Sequence, residues 1–374
     1  MDLSFSSEQN MLRDSAARFL ANECPFAKVK ELEESAEGYS ADLWRQVAEL
    51  GWLGMSFPES YGGFGGTFMD LVVIQEEIGK ALFPSPFFST VVECGSIILE
   101  GGSEEQKAEL LVAISEGNLI FGLAQYEEDG SYLESGIAMK AADSGDNYTL
   151  SGTKYFVHDA NIAHKLIVAA VVERQGPTLF LVDAQDPGVS ITKMPTIAMD
   201  NTCVVEIAGV AVSKADIIGP VGGAWPILEK TQARAAVAQS AEMLGGCKVC
   251  IAMTTGYAKE REQYGRVIGG NQVIQHYLAN MLLAHDTANS YLYQVASMVD
   301  DGEDFAAAAS ALKAAANENY KFVSERAVQI HGGIGTSREH DIGLFYRRAK
   351  SYESRCGSTD LHYEKVMEGL LQEA

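Results

Sequence analysis

The sequence has little positive charge. It contains 28 Lys and Arg against 51 Asp and Glu, which gives a formal net charge of −23 at pH 7. Nucleic acid and anionic membrane surfaces repel such a chain, so we expect neither as a partner. The net charge does not exclude an anionic substrate, because a local cluster of basic side chains is enough to bind one.

Long apolar runs are also absent. The sequence has no stretch of about 18 apolar residues, which predicts that no helix spans a membrane. Residues 1–8 are polar and acidic and carry neither the basic nor the apolar region of a signal peptide. We therefore expect a cytoplasmic protein. The six cysteines are scattered in a pattern typical of reduced proteins: Cys24, Cys94, Cys203, Cys247, Cys250 and Cys356.

Two of these cysteines form a CxxC pair. A redox or metal function is one explanation of Cys247 and Cys250, and two thiols on one face of a long helix are the other. No second ligand pair lies nearby in the sequence, which favours the second explanation. We predict no metal site.

Proline is missing from the last part of the chain. Residues 227–374 contain none and are rich in Ala, Leu, Met, Glu, Gln and Lys, which favours long helices. Ser6–Gln9 has the pattern of a capping box at the start of an N-terminal helix. Further helical runs are predicted at about 41–51, 69–82 and 103–116. The glycine-rich segment Pro58–Gly66 follows a helix and has no Lys-Ser/Thr, which indicates a structural turn more than a phosphate loop.

Short β-prone segments separated by turn residues fill the middle of the chain, at 119–124, 165–172, 178–182 and 203–212. The predicted fold is therefore an α+β multidomain protein. It has an N-terminal α-helical domain (1–118), a central domain of the β-barrel or β-sandwich type (119–225) and a C-terminal four-helix bundle (226–374).

Several motifs share one order and spacing: Gly51–Gly54, Pro58–Gly63, Ser151–Lys154, Tyr257–Gly265 and Gln329–Gly333. Together they resemble the acyl-CoA dehydrogenase family over essentially the whole chain. Gly357–Glu364 is most similar to the branch that includes the small subunit of pimeloyl-CoA dehydrogenase, several members of which work as heteromeric pairs. The resemblance implies FAD-dependent α,β-dehydrogenation of an acyl-CoA.

The resemblance also implies a cofactor clamp. Arg261 matches the arginine that contacts the FAD pyrophosphate, and Tyr264 matches an aromatic residue near the FAD, usually across a subunit interface. Gln272 matches a Gln near the FAD, and Gln329, Gly332 and Gly333 match a turn that approaches the cofactor closely. Taken alone, Arg261 is also compatible with a solvated helix end and the glycine pair with an ordinary helix C-cap.

The flavin-facing positions and the base depart from the family pattern. Tyr126 stands where many relatives have Thr, and Phe156 and His158 stand where they have Trp and Thr. These three residues either contact the flavin or fill the space of an absent one. Cys356 occupies the position of the usual catalytic Glu, and the alternative family position aligns near Ala235. Glu242 is a weak candidate for a relocated base, with pairing to a cation or a partner chain as the alternative.

Three hypotheses follow. The chain is a subunit that shares a flavin site with a homologous partner, or a self-sufficient enzyme with a relocated base, or a flavin-free scaffold. The resemblance further implies a hetero- or homo-oligomer of the tetrameric type, acyl-CoA as substrate and electron-transferring flavoprotein as electron acceptor.

Overall fold

The computed structural model describes residues 5–373 and divides into two compact units. The helical unit comprises residues up to Glu31, Thr67–Phe83 and the residues from Ala233 onward. The sheet unit comprises Leu32–Gly66 and Pro84–Gln232. The three domains expected from the sequence are continuous segments of the chain, whereas each of these two units combines several segments that contact one another. The expected domain boundaries therefore stay a prediction.

The N-terminal part of the chain forms helices with well-formed starts. Ser6, Thr67 and Ser103 each begin a helix with a complete capping box, in which side chain and backbone N–H groups bond reciprocally. A π-helix at Phe88–Gly95 precedes the fifth α-helix. The α-helices are α1 (Ser7–Glu23), α2 (Phe26–Glu34), α3 (Ala41–Glu49), α4 (Phe68–Ala81), α5 (Ser96–Gly101) and α6 (Glu104–Ser115).

The glycine-rich segment Pro58–Gly66 forms a turn around a short 3₁₀-helix at Glu59–Tyr61. A Cβ at Gly63 would overlap the carbonyl oxygen of Phe57. Glycine is required there for a close approach within the chain itself, as the structural explanation of this segment expects.

One mixed sheet of eight strands forms the centre of the sheet unit, in the order β6-β7-β3-β2-β4-β5-β8, with β1 parallel to β4. Six of the eight residues in each of β4 and β5 are buried, which explains their continuous apolar sequences. The strands are β1 (Phe121–Ala124), β2 (Lys140–Asp143), β3 (Asn147–His158), β4 (Lys165–Val172), β5 (Gly176–Asp183), β6 (Val189–Lys193), β7 (Thr202–Ser213) and β8 (Ile217–Ile218).

Long helices form the C-terminal part, as the absence of proline predicts. They are α7 (Ala224–Glu260), α8 (Gln272–Asp300), α9 (Ala306–His331), α10 (Ile342–Tyr352) and α11 (Thr359–Glu373), and a small hairpin of β9 (Glu262–Gln263) and β10 (Arg266–Val267) precedes α8. No helix among residues 5–373 is long and apolar enough to cross a membrane.

Glycine allows α4 and α7 to pack closely in the helical unit. A Cβ at Gly79 would overlap the carbonyl oxygen of Glu242, and a Cβ at Gly245 would overlap that of Glu76. Cys247 and Cys250 are fully buried on the same helix, and burial raises the pKa of both thiols. Across the described part of the chain, no cluster of three or more His, Cys, Asp or Glu side chains is placed to hold a metal ion.

Candidate active site

The first half of the expected clamp lies where α7 ends. Arg261 directly follows the helix, and its N–H donates to the Tyr257 carbonyl at 2.8 Å. Tyr264 lies at the turn of the β9–β10 hairpin with φ +54° and a fully exposed side chain. Gln272 is the first residue of α8 and is exposed. All three side chains therefore face away from the core of their unit.

The second half of the clamp lies where α9 ends. Gln329 is exposed in the last turn, and Gly332 follows the helix with φ +66°, a conformation that favours glycine. A Cβ at Gly332 or Gly333 would meet no atom of this chain within 4 Å among the described residues. The backbone of this turn is thus open to close approach by another group.

Two aromatic side chains bring the halves of the clamp together. The rings of Tyr257 and His331 stack with centroids 4.4 Å apart and planes 25° apart, and the Tyr257 hydroxyl donates to the His331 carbonyl at 3.4 Å. Tyr257 lies one turn before Arg261, and His331 directly precedes Gly332. The stack therefore places the ends of α7 and α9 side by side. Sequence reasoning assigned no role to either ring.

The clamp residues have the chemistry of a nucleotide site. A guanidinium offers a fork of donors to phosphate oxygens, Gln272 and Gln329 add amides, and the Gly332–Gly333 turn leaves room for a close approach. Burial lowers the pKa of His331, which keeps that imidazole neutral and available for stacking. The residues present fit a phosphate-bearing cofactor such as FAD.

The sheet unit carries the expected flavin-facing residues. The Tyr126 carbonyl accepts the Tyr155 N–H at 2.9 Å, so Tyr126 lies beside the end of β3. Phe156 has φ +55° and is 39% exposed. The Nδ1 atom of His158 lies 3.3 Å from the Thr202 hydroxyl. The structure therefore groups Tyr126, Phe156 and His158 around the last residues of one strand.

Cys356 lies in the loop between α10 and α11, with φ +60° and a partly exposed side chain. Its carbonyl accepts the His362 Nε2–H at 2.9 Å. The Lys313 ammonium on α9 donates to the carbonyls of Tyr352 and Gly357 at 3.1 and 3.4 Å. Side chains from α9 and α11 thus hold the loop by its backbone. Sequence reasoning missed this function of Lys313 and His362.

Burial changes the titration of both side chains that hold this loop. It lowers the pKa of Lys313 to about 8. Burial, together with the nearby charge of Lys313, lowers the pKa of His362 to about 4. Near neutral pH, His362 is therefore a neutral donor to the loop.

Glu242 is buried on α7 and hydrogen-bonded. The Tyr352 hydroxyl donates to one carboxylate oxygen at 2.5 Å, and the Gln239 side-chain amide donates to the other at 3.2 Å. Burial raises the pKa of Glu242, and the charges of Arg355 and Arg348 oppose that rise. Ala235, at the alternative position of the base, is buried and carries no ionisable group.

Three family profiles match this chain in order. The acyl-CoA dehydrogenase N-terminal domain matches residues 6–118, the middle domain residues 123–210 and the C-terminal domain residues 223–371. The chain belongs to the acyl-CoA dehydrogenase family. Enzymes of this family are flavoprotein oxidoreductases that act on the CH–CH bond of acyl-CoA thioesters, and they typically use FAD.

Individual relatives agree with this membership. Caffeyl-CoA reductase-Etf complex subunit CarC of Acetobacterium woodii is 28% identical, covering 98% of this chain and 99% of the relative. The structure of butyryl-CoA dehydrogenase from Megasphaera elsdenii matches with a TM-score of 0.92 and 25% identity, over 99% of this chain and 100% of the other. A chain of the ChsE4-ChsE5 complex from Mycobacterium tuberculosis matches with a TM-score of 0.91 and 25% identity, over 99% of both.

Proposed function

We propose that this chain is an FAD-binding subunit of an acyl-CoA dehydrogenase and that a homologous partner chain completes its catalytic site. The observation that carries the proposal is the loop between α10 and α11. It presents the Cys356 thiol at the position where the family resemblance places a catalytic Glu. A thiol is largely protonated at pH 7 unless its surroundings lower its pKa strongly.

The reaction needs a base for the α-proton, donors for the developing enolate and a hydride acceptor. Bound FAD would supply the hydride acceptor. In the helical unit, Arg261, Gln272, Gln329 and the Gly332–Gly333 turn would hold a cofactor. In the sheet unit, the aromatic side chains of Tyr126 and Phe156 would orient a flavin ring. His158 would add a polar group beside it.

The surface around the clamp supports a partner chain. Tyr264 is fully exposed, and Val267, Val273, Leu282 and Leu283 are between 37% and 67% exposed. Contiguous exposed apolar patches are typical of interaction surfaces, and these side chains follow one another along the β9–β10 hairpin and α8. The similarity to a chain from a two-protein complex agrees with a heteromeric assembly. We propose electron-transferring flavoprotein as electron acceptor because one relative is named as part of a complex with it.

Co-purification tests the proposal. The tagged chain would be isolated from its own cells, and any accompanying chain identified by mass spectrometry. We expect a homologous chain that carries Glu at the position of Cys356. Full flavin content and full dehydrogenase activity in the chain alone would overturn the proposal, and a stable but colourless homo-oligomer would favour the flavin-free scaffold.

A second candidate function is a self-sufficient dehydrogenase with Glu242 as its base. Burial raises the pKa of this carboxylate, which favours the candidate because a carboxylate with a higher pKa is a stronger proton acceptor. Replacement Glu242→Gln should then abolish turnover while FAD stays bound. The control is Glu353→Gln, because Glu353 is a less buried carboxylate beside the loop that carries Cys356. An unchanged turnover in Glu242→Gln would exclude this candidate.

A further inference from the structure

Lys154 is fully buried on β3, where an ammonium is costly unless it is paired and hydrogen-bonded. Its Nζ donates to the Glu127 carboxylate at 2.6 Å and to the Gln125 carbonyl at 2.9 Å. The segment 125–127 follows β1 and has no regular secondary structure. These bonds therefore hold residues 125–127 in place, although no strand pairing does so.

Glu127 extends the attachment. The carboxylate oxygen that Lys154 contacts also accepts the N–H groups of Ala138 and Met139 at 3.2 and 3.0 Å. Between Gln125 and Glu127, the Tyr126 carbonyl accepts the Tyr155 N–H at 2.9 Å. Three consecutive residues are thus tied to the end of β3.

The end of β3 is itself irregular. Its pairing with β7 shifts register between Lys154 and Val157, and Phe156 adopts φ +55° with 39% of its surface exposed. Such bulges redirect a side chain and are common beside active sites, and a non-glycine residue at positive φ stores strain. The ion pair of Lys154 and Glu127 lies directly beside this bulge. The same set of bonds therefore holds the backbone at both Tyr126 and Phe156.

We propose that Lys154 is a positioning residue that, through Glu127 and Gln125, holds the aromatic side chains of Tyr126 and Phe156 in fixed places against the flavin ring. This inference rests on the proposed function, which assigns those two residues to the flavin. Lys154 does not contact the reacting atoms. It acts on the affinity for FAD and on the reduction potential, because both depend on how ring contacts are arranged around a flavin.

The test compares holoproteins, with the partner chain present if one co-purifies. In Lys154→Met we expect the Kd for FAD to rise about tenfold, together with a shift of the reduction potential and of the visible flavin spectrum. In the same protein without added FAD, the amides of Tyr155, Ala138 and Met139 should exchange hydrogen faster. Glu127→Gln, which keeps the shape and removes the charge, should give smaller changes in the same direction and serves if Lys154→Met does not fold.

Thr178→Val is the matched control. Thr178 is equally buried in the sheet unit and accepts the Gly222 N–H at 2.8 Å, so its replacement lowers stability without touching residues 125–127. Unchanged FAD affinity and reduction potential in both Lys154→Met and Glu127→Gln would overturn this inference but leave the proposed function standing. Changes of equal size in Thr178→Val would do the same. A wild-type chain that binds no FAD, with or without a partner, would overturn the proposed function and this inference with it.

Discussion

The clamp and the loop that carries Cys356 lie in the same helical unit, but their residues are held in opposite ways. Arg261, Tyr264 and Gln329 are exposed, and a Cβ added at Gly332 or Gly333 would meet no described atom within 4 Å. Around the loop, by contrast, Lys313 and His362 are buried and bonded to backbone carbonyls. The predicted clamp therefore leaves its side chains available to a group outside this chain, whereas the loop is held in place by bonds within its own unit.

This difference bears on the chemistry. A base must reach a substrate proton and then release it, and Glu242 is buried with Tyr352 and Gln239 as hydrogen-bond donors. A cofactor clamp needs exposed donors before the cofactor arrives. In this chain the predicted clamp side chains are exposed, whereas the candidate base Glu242 is buried. The proposed function therefore assigns catalysis to an assembly.

The largest effect on stability should come from adding a methyl group where α4 and α7 are in close contact. In Gly79→Ala, the new Cβ would overlap the Glu242 carbonyl, and we expect the free energy of unfolding to fall by about 3 kcal/mol. Chemical denaturation measures it. Gly256→Ala is the control, because a Cβ at this glycine on α7 meets no described atom within 4 Å and helix propensity favours Ala by about 1 kcal/mol. Equal stability of Gly79→Ala and wild type would contradict the packing.

Acid should weaken the loop next. His362 has a folded pKa of about 4 against 6.5 for a free side chain, so the unfolded chain takes up the proton first. The contribution of His362 is complete above pH 6.5 and decreases as the pH falls towards 4, by about 3 kcal/mol in total. The free energy of unfolding measured across this range should fall less in His362→Gln. The same pH dependence in both proteins would refute the assignment.

Removing a donor from Glu242 should have a smaller effect. Tyr352→Phe takes away the hydroxyl that donates to the buried carboxylate, and we expect a loss of about 2 kcal/mol of stability. Tyr320→Phe is the matched control, since the Tyr320 hydroxyl is buried with no hydrogen-bond partner among the described residues. Thermal unfolding should show that Tyr352→Phe loses more stability than Tyr320→Phe. A larger loss of stability in Tyr320→Phe would contradict this prediction.

The clamp should show the smallest change in stability. Gly333→Ala places a Cβ in space that this chain leaves open, so the free energy of unfolding should change by less than about 0.5 kcal/mol. The Kd for FAD should nevertheless rise about tenfold, because the methyl group would block approach to the backbone. Flavin titration measures this, with Gly256→Ala again as control. Unaltered FAD affinity would remove the turn from the clamp.

The sequence predicts the two kinds of region unequally. Missing prolines, capping residues and short β-prone segments act locally, so helices and strands can be read from them, and the clamp motifs are contiguous. The bonds around the Cys356 loop join residues that are far apart in the sequence. Tyr352 and Glu242 lie 110 residues apart, and no short sequence pattern predicts their contact. Lys154 stands inside a motif, but its function depends on Glu127, which lies 27 residues away.

The stack of Tyr257 on His331 teaches the same point. Each residue stands within or beside a clamp motif, yet their contact depends on how α7 and α9 pack, which the sequence does not state. For Glu242 the sequence leaves a base, a cation pair and a partner contact open. Its hydrogen bonds to Tyr352 and Gln239 and the nearby charges of Arg355 and Arg348 describe a carboxylate stabilised within its own unit.

The most direct test of the shared site is anaerobic reduction of the bound flavin. The purified chain, alone and with its co-purifying partner, would be mixed with butyryl-CoA, octanoyl-CoA and a dicarboxylic acyl-CoA while the visible flavin absorbance is followed. We predict that flavin bound to the chain alone stays oxidised and that the assembly is bleached by its substrate. Rapid and complete bleaching in the chain alone would contradict the account.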